Sequence, residues 1–267
     1  RIGLVALSDI ARVNSAPNSY HLGYLLGPRI NAGGRVGAAD LGARLLATND
    51  PSEAAALAER LDVLNTERRD IEATVLAQAT EQAEERGVTG GLVWAAADGW
   101  HPGVVGIVAS RLKEAFNRPA VVIGIDGAEG KGSGRSVNGV DLGNAVSTCT
   151  REGLFLKGGG HKMAAGLTVS TDKLDAAMAR LTELLEKQGS ANAGPTDLRI
   201  DGLISTSGAS VELIEQLEQA GPFGASSPAP RFALASTRIS FAKRAGDSHL
   251  RLTLTDGGGG KMDAIAF

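Results

Sequence analysis

Leu92-Val93-Trp94-Ala95-Ala96-Ala97, then Asp98-Gly99-Trp100-His101-Pro102-Gly103, and then Pro119 to Ile125 form the stretch that decides the fold. The first six residues are apolar and follow Gly90-Gly91, which reads as a short buried strand. From Gly103 to Phe116 the apolar residues recur at helical spacing. Pro119 to Ile125 is rich in Val and Ile, the composition of a second buried strand. Working outward, Lys131 to Val137 is a strand candidate with polar residues and Leu142 to Cys149 a helix. Leu167-Thr168-Val169 is a further strand and Lys173 to Lys187 a further helix. Strands alternating with helices predict an α/β domain with a mixed sheet over residues 88–190.

Upstream, Asn49-Asp50-Pro51-Ser52-Glu53 is a helix start: a capping side chain, a proline in the first turn and an early acid. No glycine and no further proline follow until Gly87, while Leu57, Leu61, Leu64, Ile71, Val75 and Leu76 recur at helical spacing. One long helix is expected over 49–87, either a bridge between two lobes or an ordinary core helix. Residues 1–48 predict short helices around a Gly/Arg loop, Gly27 to Gly37. Downstream, Gln188 to Pro195 has the composition of a linker. Beyond it, Leu198–Gly202, Arg238–Ala242 and His249–Leu254 alternate like antiparallel strands, with a helix over about 210–220. That suits a small OB-like β-barrel over 195–267, cut short at Phe267.

The chain begins at Arg1, its first methionine is Met163, and its last residues alternate like the middle of a strand, so a segment of a longer protein is expected. No apolar run approaches the roughly 18 residues that span a membrane, and no signal peptide is visible. The lone Cys149 has no disulfide or zinc partner in the chain, which fits a reducing cytoplasm. The net charge of −3 conceals a pattern. Segments 1–48, 98–168 and 222–267 are net positive and hold the glycine-rich motifs, whereas 49–97 and 169–221 are net negative and read as helices. Local basic surface, rather than the whole-chain balance, is what attracts phosphates.

Four clusters carry candidate chemistry. Gly158-Gly159-Gly160-His161 reads either as a loop whose backbone N–H groups approach an anion, with His161 as a side-chain donor, or as a flexible turn with a surface histidine. In the first loop Asn31 and Arg35 flank Gly33-Gly34, and an arginine fork matches phosphate oxygens. Arg29, equally placed in sequence, suits a helix cap as well as a ligand. Trp100 and His101 stand at a strand-to-helix junction, where ligands commonly bind; His101 either donates to a phosphate or fixes the loop. In Lys131-Gly132-Ser133-Gly134-Arg135-Ser136, Ser133 and Arg135 share one face of a strand, between small neighbours that leave room for a polymer backbone. A hairpin with a surface arginine is the plainer alternative. The sequence has no zinc spacing, no Gly-x-x-x-x-Gly-Lys-Ser/Thr loop, no nucleophile elbow and no Asp/His cluster for two hydrolytic metal ions.

In this order, these motifs resemble the DHH phosphoesterase family. The resemblance rests on Gly27–Gly37, Asn65-Thr66-Glu67-Arg68-Arg69, Gly99–Ser110, Gly132–Ser136, Gly158–Gly166 and Leu217–Phe232. The glycine–histidine signature is shared by the wider family. The long helix and the OB-like tail narrow the resemblance to the C-terminal part of its single-strand-specific DNA exonucleases.

The resemblance implies that residues 1–48 end a DHH domain, that 88–190 is the DHH-associated substrate-binding domain, and that the tail adds a single-strand track. It implies that Arg35, Ser133 and Arg135, with Asn31, bind a 5′-terminal phosphate or the DNA backbone. Gly159, Gly160 and a catalytic His161 would hold the phosphate beside the scissile bond, with Trp100 and His101 lining the cleft. Mn²⁺ or Mg²⁺ would serve the longer protein, held by a DHH domain whose Asp-His-His sequence is not in this chain, so the chain alone is expected not to cleave DNA. Helicase and single-strand-binding partners, a role in DNA repair and recombination, and a monomer are also implied. A phosphodiesterase of short oligonucleotides or cyclic dinucleotides, a tRNA-editing domain and a non-catalytic nucleic-acid-binding module are the alternatives.

Overall fold

The computed structural model describes residues 1–87, 90–192, 198–224, 227–246 and 249–267. The chain divides into two compact units, Arg1–Thr196 and Asp197–Phe267. The expected domain starts at 88 and 195, residues 193–195 of the linker, and residues 225 and 226 of the 217–232 motif lie outside the described residues.

The first unit is built on the predicted long helix. Helices α1 (Ile2–Ile10), α2 (Gly27–Val36) and α3 (Leu41–Ala47) pack on the N-terminal half of α4 (Pro51–Arg86). Asp50 caps α4 by accepting from the Ser52 and Glu53 N–H groups, and Gly87, at φ 73°, ends it. Its 36 residues extend about 54 Å at 1.5 Å per residue. Leu7, Leu26, Leu45, Leu57 and Leu61 form the core of this helical part.

The expected loop at Gly27–Gly37 is instead helix α2, preceded by a π-helical turn at His21–Leu26. Packing overrides glycine's weak helix propensity here. A Cβ on Gly33 would come within 3.0–3.3 Å of Ala38 O, Leu61 and Leu41, so glycine permits a close approach that a side chain would make its neighbours yield to.

The C-terminal half of α4 lies along a five-stranded sheet in the order β1-β2-β3-β5-β4. The strands are β1 (Val93–Asp98), β2 (Ala120–Asp126), β3 (Glu129–Arg135), β4 (Lys157–His161) and β5 (Ala164–Ser170). β1 and β2 run parallel; the other neighbours are antiparallel. Helix α5 (Pro102–Phe116) makes the β1–β2 crossover, and α6 (Leu142–Arg151) and α7 (Leu174–Glu186) cover the other face. α4 shields the edge of the sheet. Gln82 exchanges hydrogen bonds with the Ala96 backbone at 3.1 Å each way, and Arg86 donates to Trp94 O at 2.7 Å. A free strand edge is thus paired by a helix.

Gly158-Gly159-Gly160 are not a loop but the interior of β4. The reason again is close packing. A Cβ on Gly158 would meet Val146 and Thr150 of α6 at 2.7–2.8 Å, and one on Gly143 of α6 would meet Gly160 and His161 backbone atoms at 2.8–2.9 Å. Glycine on both sides lets α6 lie directly against the strand.

The start of the predicted linker belongs to the first unit. Gln188 bridges the Asp141 backbone, and Arg118 donates to Ala191 O.

The second unit holds β6 (Gly202–Ile204), α8 (Val211–Gln219), β7 (Phe232–Leu234), β8 (Arg238–Ala245), β9 (His249–Thr255) and β10 (Lys261–Ala266). β10-β9-β8 form an antiparallel sheet and β6-β7 a parallel pair, with no closed barrel among the described residues. No hydrophobic side chain among the described residues of this unit is buried; the buried residues are Thr206 and Thr253. Asp256 ties the unit together, accepting from Thr206 Oγ1 and from the Gly258 and Gly260 N–H groups.

Candidate nucleic-acid interface

Strand alternation and register define the site. In β3 the glycines 130, 132 and 134 are buried while Lys131, Ser133 and Arg135 face the other way. The three glycines make room for core side chains: a Cβ there would strike Ile123, Leu167 or Leu142 at 2.7–2.9 Å. The small neighbours therefore serve the hydrophobic core, not a polymer backbone as the sequence suggested.

On the opposite face, the pairing continues in rows across the sheet. Ala120, Arg135, Ala164 and His161 form one row; Val122, Ser133, Gly166 and Gly159 the next; Gly124, Lys131, Thr168 and Lys157 the third. In-register residues on adjacent strands project to the same side. Over β1 and β2 this face is apolar and lies under α5, with Val93, Ala95, Ala120 and Val122 packed on Val104, Val105 and Val108. Over β5 and β4 it is open. A Cβ at Gly159 would meet nothing within 4 Å. The result is a glycine-floored shelf with Lys131 and Lys157 at one end and Arg135 and His161 at the other.

α5 forms the wall of the shelf. A Cβ at Gly106 would lie 3.1 Å from Arg135 Nη2 and 3.3 Å from Ser133 Oγ. The N-terminus of α5 also receives α2: Arg35 Nη1 donates to Gly103 O at 3.0 Å, and a Cβ at Gly103 would sit 2.1 Å from Arg35 O. Arg35 and Arg135 are thereby brought together. Arg135 is half-buried and its pKa is lowered, first by burial and then by the charge of Arg35. Among the described residues neither guanidinium has a carboxylate partner; their hydrogen bonds go to Gly103 O and Gly134 O. Two like charges brought close without a counter-ion make a site that an anion relieves.

The histidines are held differently. His101 caps α5, its Nδ1 accepting from Gly103 N–H at 3.0 Å. His161 is exposed, and its Nδ1 accepts from Met163 N–H at 3.4 Å. An accepting Nδ1 leaves the proton on Nε2, so each ring presents Nε2–H as a donor.

Two expected residues are placed elsewhere. Trp100 is 6% exposed, sits in the core under α5, and donates Nε1–H to Gln78 Oε1 at 2.8 Å. With its one polar atom satisfied, it fixes the strand end to α4 and lines no open cleft. Gly160 packs against β5 and α6, so Gly159 is the glycine of the shelf. Asn31 lies on α2 beside a groove that Arg35 also lines. Sequence reasoning missed Lys157 and Thr168, whose place on the shelf depends entirely on long-range register. Among the described residues no three or more His, Cys, Asp or Glu stand together to hold a metal ion. No helix among them is long and apolar enough to cross a membrane.

The DHHA1 domain family matches residues 89–187, the part of the chain that holds the mixed sheet. The RecJ OB domain family matches residues 200–267. The whole chain is 38% identical to the single-stranded-DNA-specific exonuclease RecJ of Dickeya dadantii and 36% identical to that of Escherichia coli, covering 48% of each. The crystal structure of RecJ in complex with Mn²⁺ from Thermus thermophilus superposes with a TM-score of 0.81 at 30% identity, over 99% of this chain and 38% of that one. The chain belongs to the RecJ family, as a homologue of the part that carries the DHHA1 and OB domains. It spans about half the length of these two curated relatives.

Proposed function

We propose that this chain is the substrate-holding part of a 5′→3′ single-stranded-DNA exonuclease. The observation that carries the reading is the uncompensated pair Arg35 and Arg135 beside Ser133 and the open shelf. Arg135, Ser133 and Arg35 bind a terminal 5′ phosphate, with guanidinium forks suited to its oxygens. Gly159 lets the sugar–phosphate backbone lie flat on the sheet, and His161 donates Nε2–H to the next phosphate. Lys131 and Lys157 carry the strand off the far end of the shelf. Residues 1–48 complete a DHH domain, 49–87 connect it to the DHHA1 domain, and the OB unit offers a single-strand surface of its own, with Phe241, Lys243 and Arg251 exposed on its sheet.

In this reading the Mn²⁺ or Mg²⁺ that such a reaction uses is held by a DHH domain, and the role of this chain is to bind and orient the strand. Cytoplasmic DNA repair, with a helicase and a single-strand-binding protein as partners, is the setting that fits.

The test is a titration of the chain with labelled single-stranded DNA, with and without a 5′ phosphate, across a salt series. Binding that improves with the 5′ phosphate and weakens steeply with salt is expected. Equal affinity for both ends would remove the end-binding role of Arg35, Ser133 and Arg135.

A further inference from the structure

A groove of about 1020 Å³ runs between α2, α4 and α5 and is not part of the shelf. Its α4 wall is formed by residues between Asn65 and Leu76, with Arg68 and Arg69 the bases and Asp70 and Glu72 the acids. Arg111 of α5 closes the opposite side, and Pro28, Leu76 and Ile107 give it an apolar floor. Arg68 is tied to Asn65 and Glu72, yet its Nε is buried without an acceptor. Arg69 is exposed and has no ion-pair partner among the described residues, and Arg111 reaches Glu114 and Glu72 only at 3.7 and 3.9 Å. At the lip stands Tyr24, 72% exposed and stacked on Tyr20 with ring centroids 5.2 Å apart. Arg35 lines the groove, and the same guanidinium lowers the pKa of Arg135 on the shelf. The groove and the shelf thus meet at one residue.

We infer that this groove is a second nucleotide subsite, continuous with the shelf through Arg35. Arg69 and Arg111 contact a backbone phosphate there, and Tyr24 stacks on a base. Arginine forks suit phosphate oxygens. An exposed aromatic ring beside them accepts any base, the combination that single-strand binders use. A free phosphate would need neither the apolar floor nor the tyrosine pair. The inference rests on the proposed role of the shelf.

The experiment compares two 5′-phosphorylated thymidine ligands on the intact chain: a dinucleotide, which occupies the shelf alone, and an oligomer of about a dozen nucleotides, within the range such sites cover. The variants are Arg69→Ala with Arg111→Ala, Tyr24→Ala, and Arg135→Ala. For the double variant, about a tenfold loss of affinity for the oligomer is expected. Its salt slope should be shallower by roughly 0.7 per lost contact, with dinucleotide binding unchanged. Tyr24→Ala should weaken the oligomer about fivefold or more. All four residues are surface or shelf positions, and thermal melting checks that the variants fold. Oligomer binding unchanged in the double variant while Arg135→Ala has lost affinity would overturn the groove and spare the shelf. Equal losses for both ligands would also overturn it, because the groove would then not be a separate subsite. No binding by the unmodified chain, or none that depends on Arg135, would remove the shelf reading and the groove with it.

Discussion

Arg135 and His161 stand on one row of the sheet, on either side of Ala164, which pairs with both. Two strand spacings separate their backbones by about 10 Å, and both side chains project over the open half of the sheet.

The first prediction follows from that arrangement. Arg135→Ala should lower affinity for 5′-phosphorylated single-stranded DNA by roughly ten- to a hundredfold, as expected for about 1.5–3 kcal/mol in a charge-assisted hydrogen bond. The loss should be much smaller for the same oligomer with a 5′ hydroxyl. His161→Ala should weaken both ligands alike, since the proposed role of His161 is to meet an internal phosphate. Fluorescence anisotropy with the two oligomers separates the roles, and identical losses for Arg135→Ala on both would sink the assignment of the terminal phosphate.

Gly159 and Gly160 are neighbours with opposite duties. A Cβ at Gly160 would lie 2.3 Å from Ala164 O, whereas one at Gly159 meets nothing within 4 Å. Gly160→Ala should therefore destabilise the first unit by about 1–3 kcal/mol, the usual cost of forcing atoms into filled space. Gly159→Ala should melt close to the unmodified chain yet bind DNA more weakly. Calorimetry and titration on both variants decide it; a Gly159→Ala chain with unimpaired binding would mean the backbone does not lie on the shelf.

Trp100 lies in the core rather than in the cleft that the sequence suggests. Trp100→Phe removes its Nε1–H and leaves Gln78 Oε1 without that donor, which should cost about 1–3 kcal/mol. DNA affinity under folding conditions should not change. An affinity loss without a stability loss would restore the indole to the binding surface.

Cys149 is fully buried, and burial, helped by Glu152, pushes its thiol up to about 11 from an ordinary value of 9.0. The folded state thus favours the protonated thiol. Its contribution to stability is complete below about pH 9 and is lost as the pH rises toward about 11. At neutral pH the thiol should react with a disulfide reagent only on unfolding. Labelling with and without denaturant, followed by mass spectrometry, measures this; rapid labelling of the folded chain would contradict the burial.

Much of the fold is legible in the sequence because its signals are local. Asp50 and Pro51 announce α4, Gly87 ends it, and the apolar runs around Trp94 and Val122 mark paired strands. The glycine stretches mislead for the opposite reason. Gly33 lies in a helix and Gly158–Gly160 in a strand, against their propensities: α6 leaves no room for a Cβ at Gly158, β5 leaves none at Gly160, and the fit of Gly33 against Leu61 is tight. Nothing within a few residues of these glycines reports the helix that will lie on them.

The chain's sequence alone determined which residues could meet a phosphate: Arg35, Ser133, Arg135 and His161 stand out by type and by their glycine neighbours. Only the tertiary structure decided which of them meet. Ser133, Gly166 and Gly159 share a row because β3, β5 and β4 pair in one register, and a slip of one residue would have turned each side chain to the opposite face. That register is set by the packing of α5, α6 and α7 on the sheet's two faces, a many-body balance of buried surface that no local motif encodes.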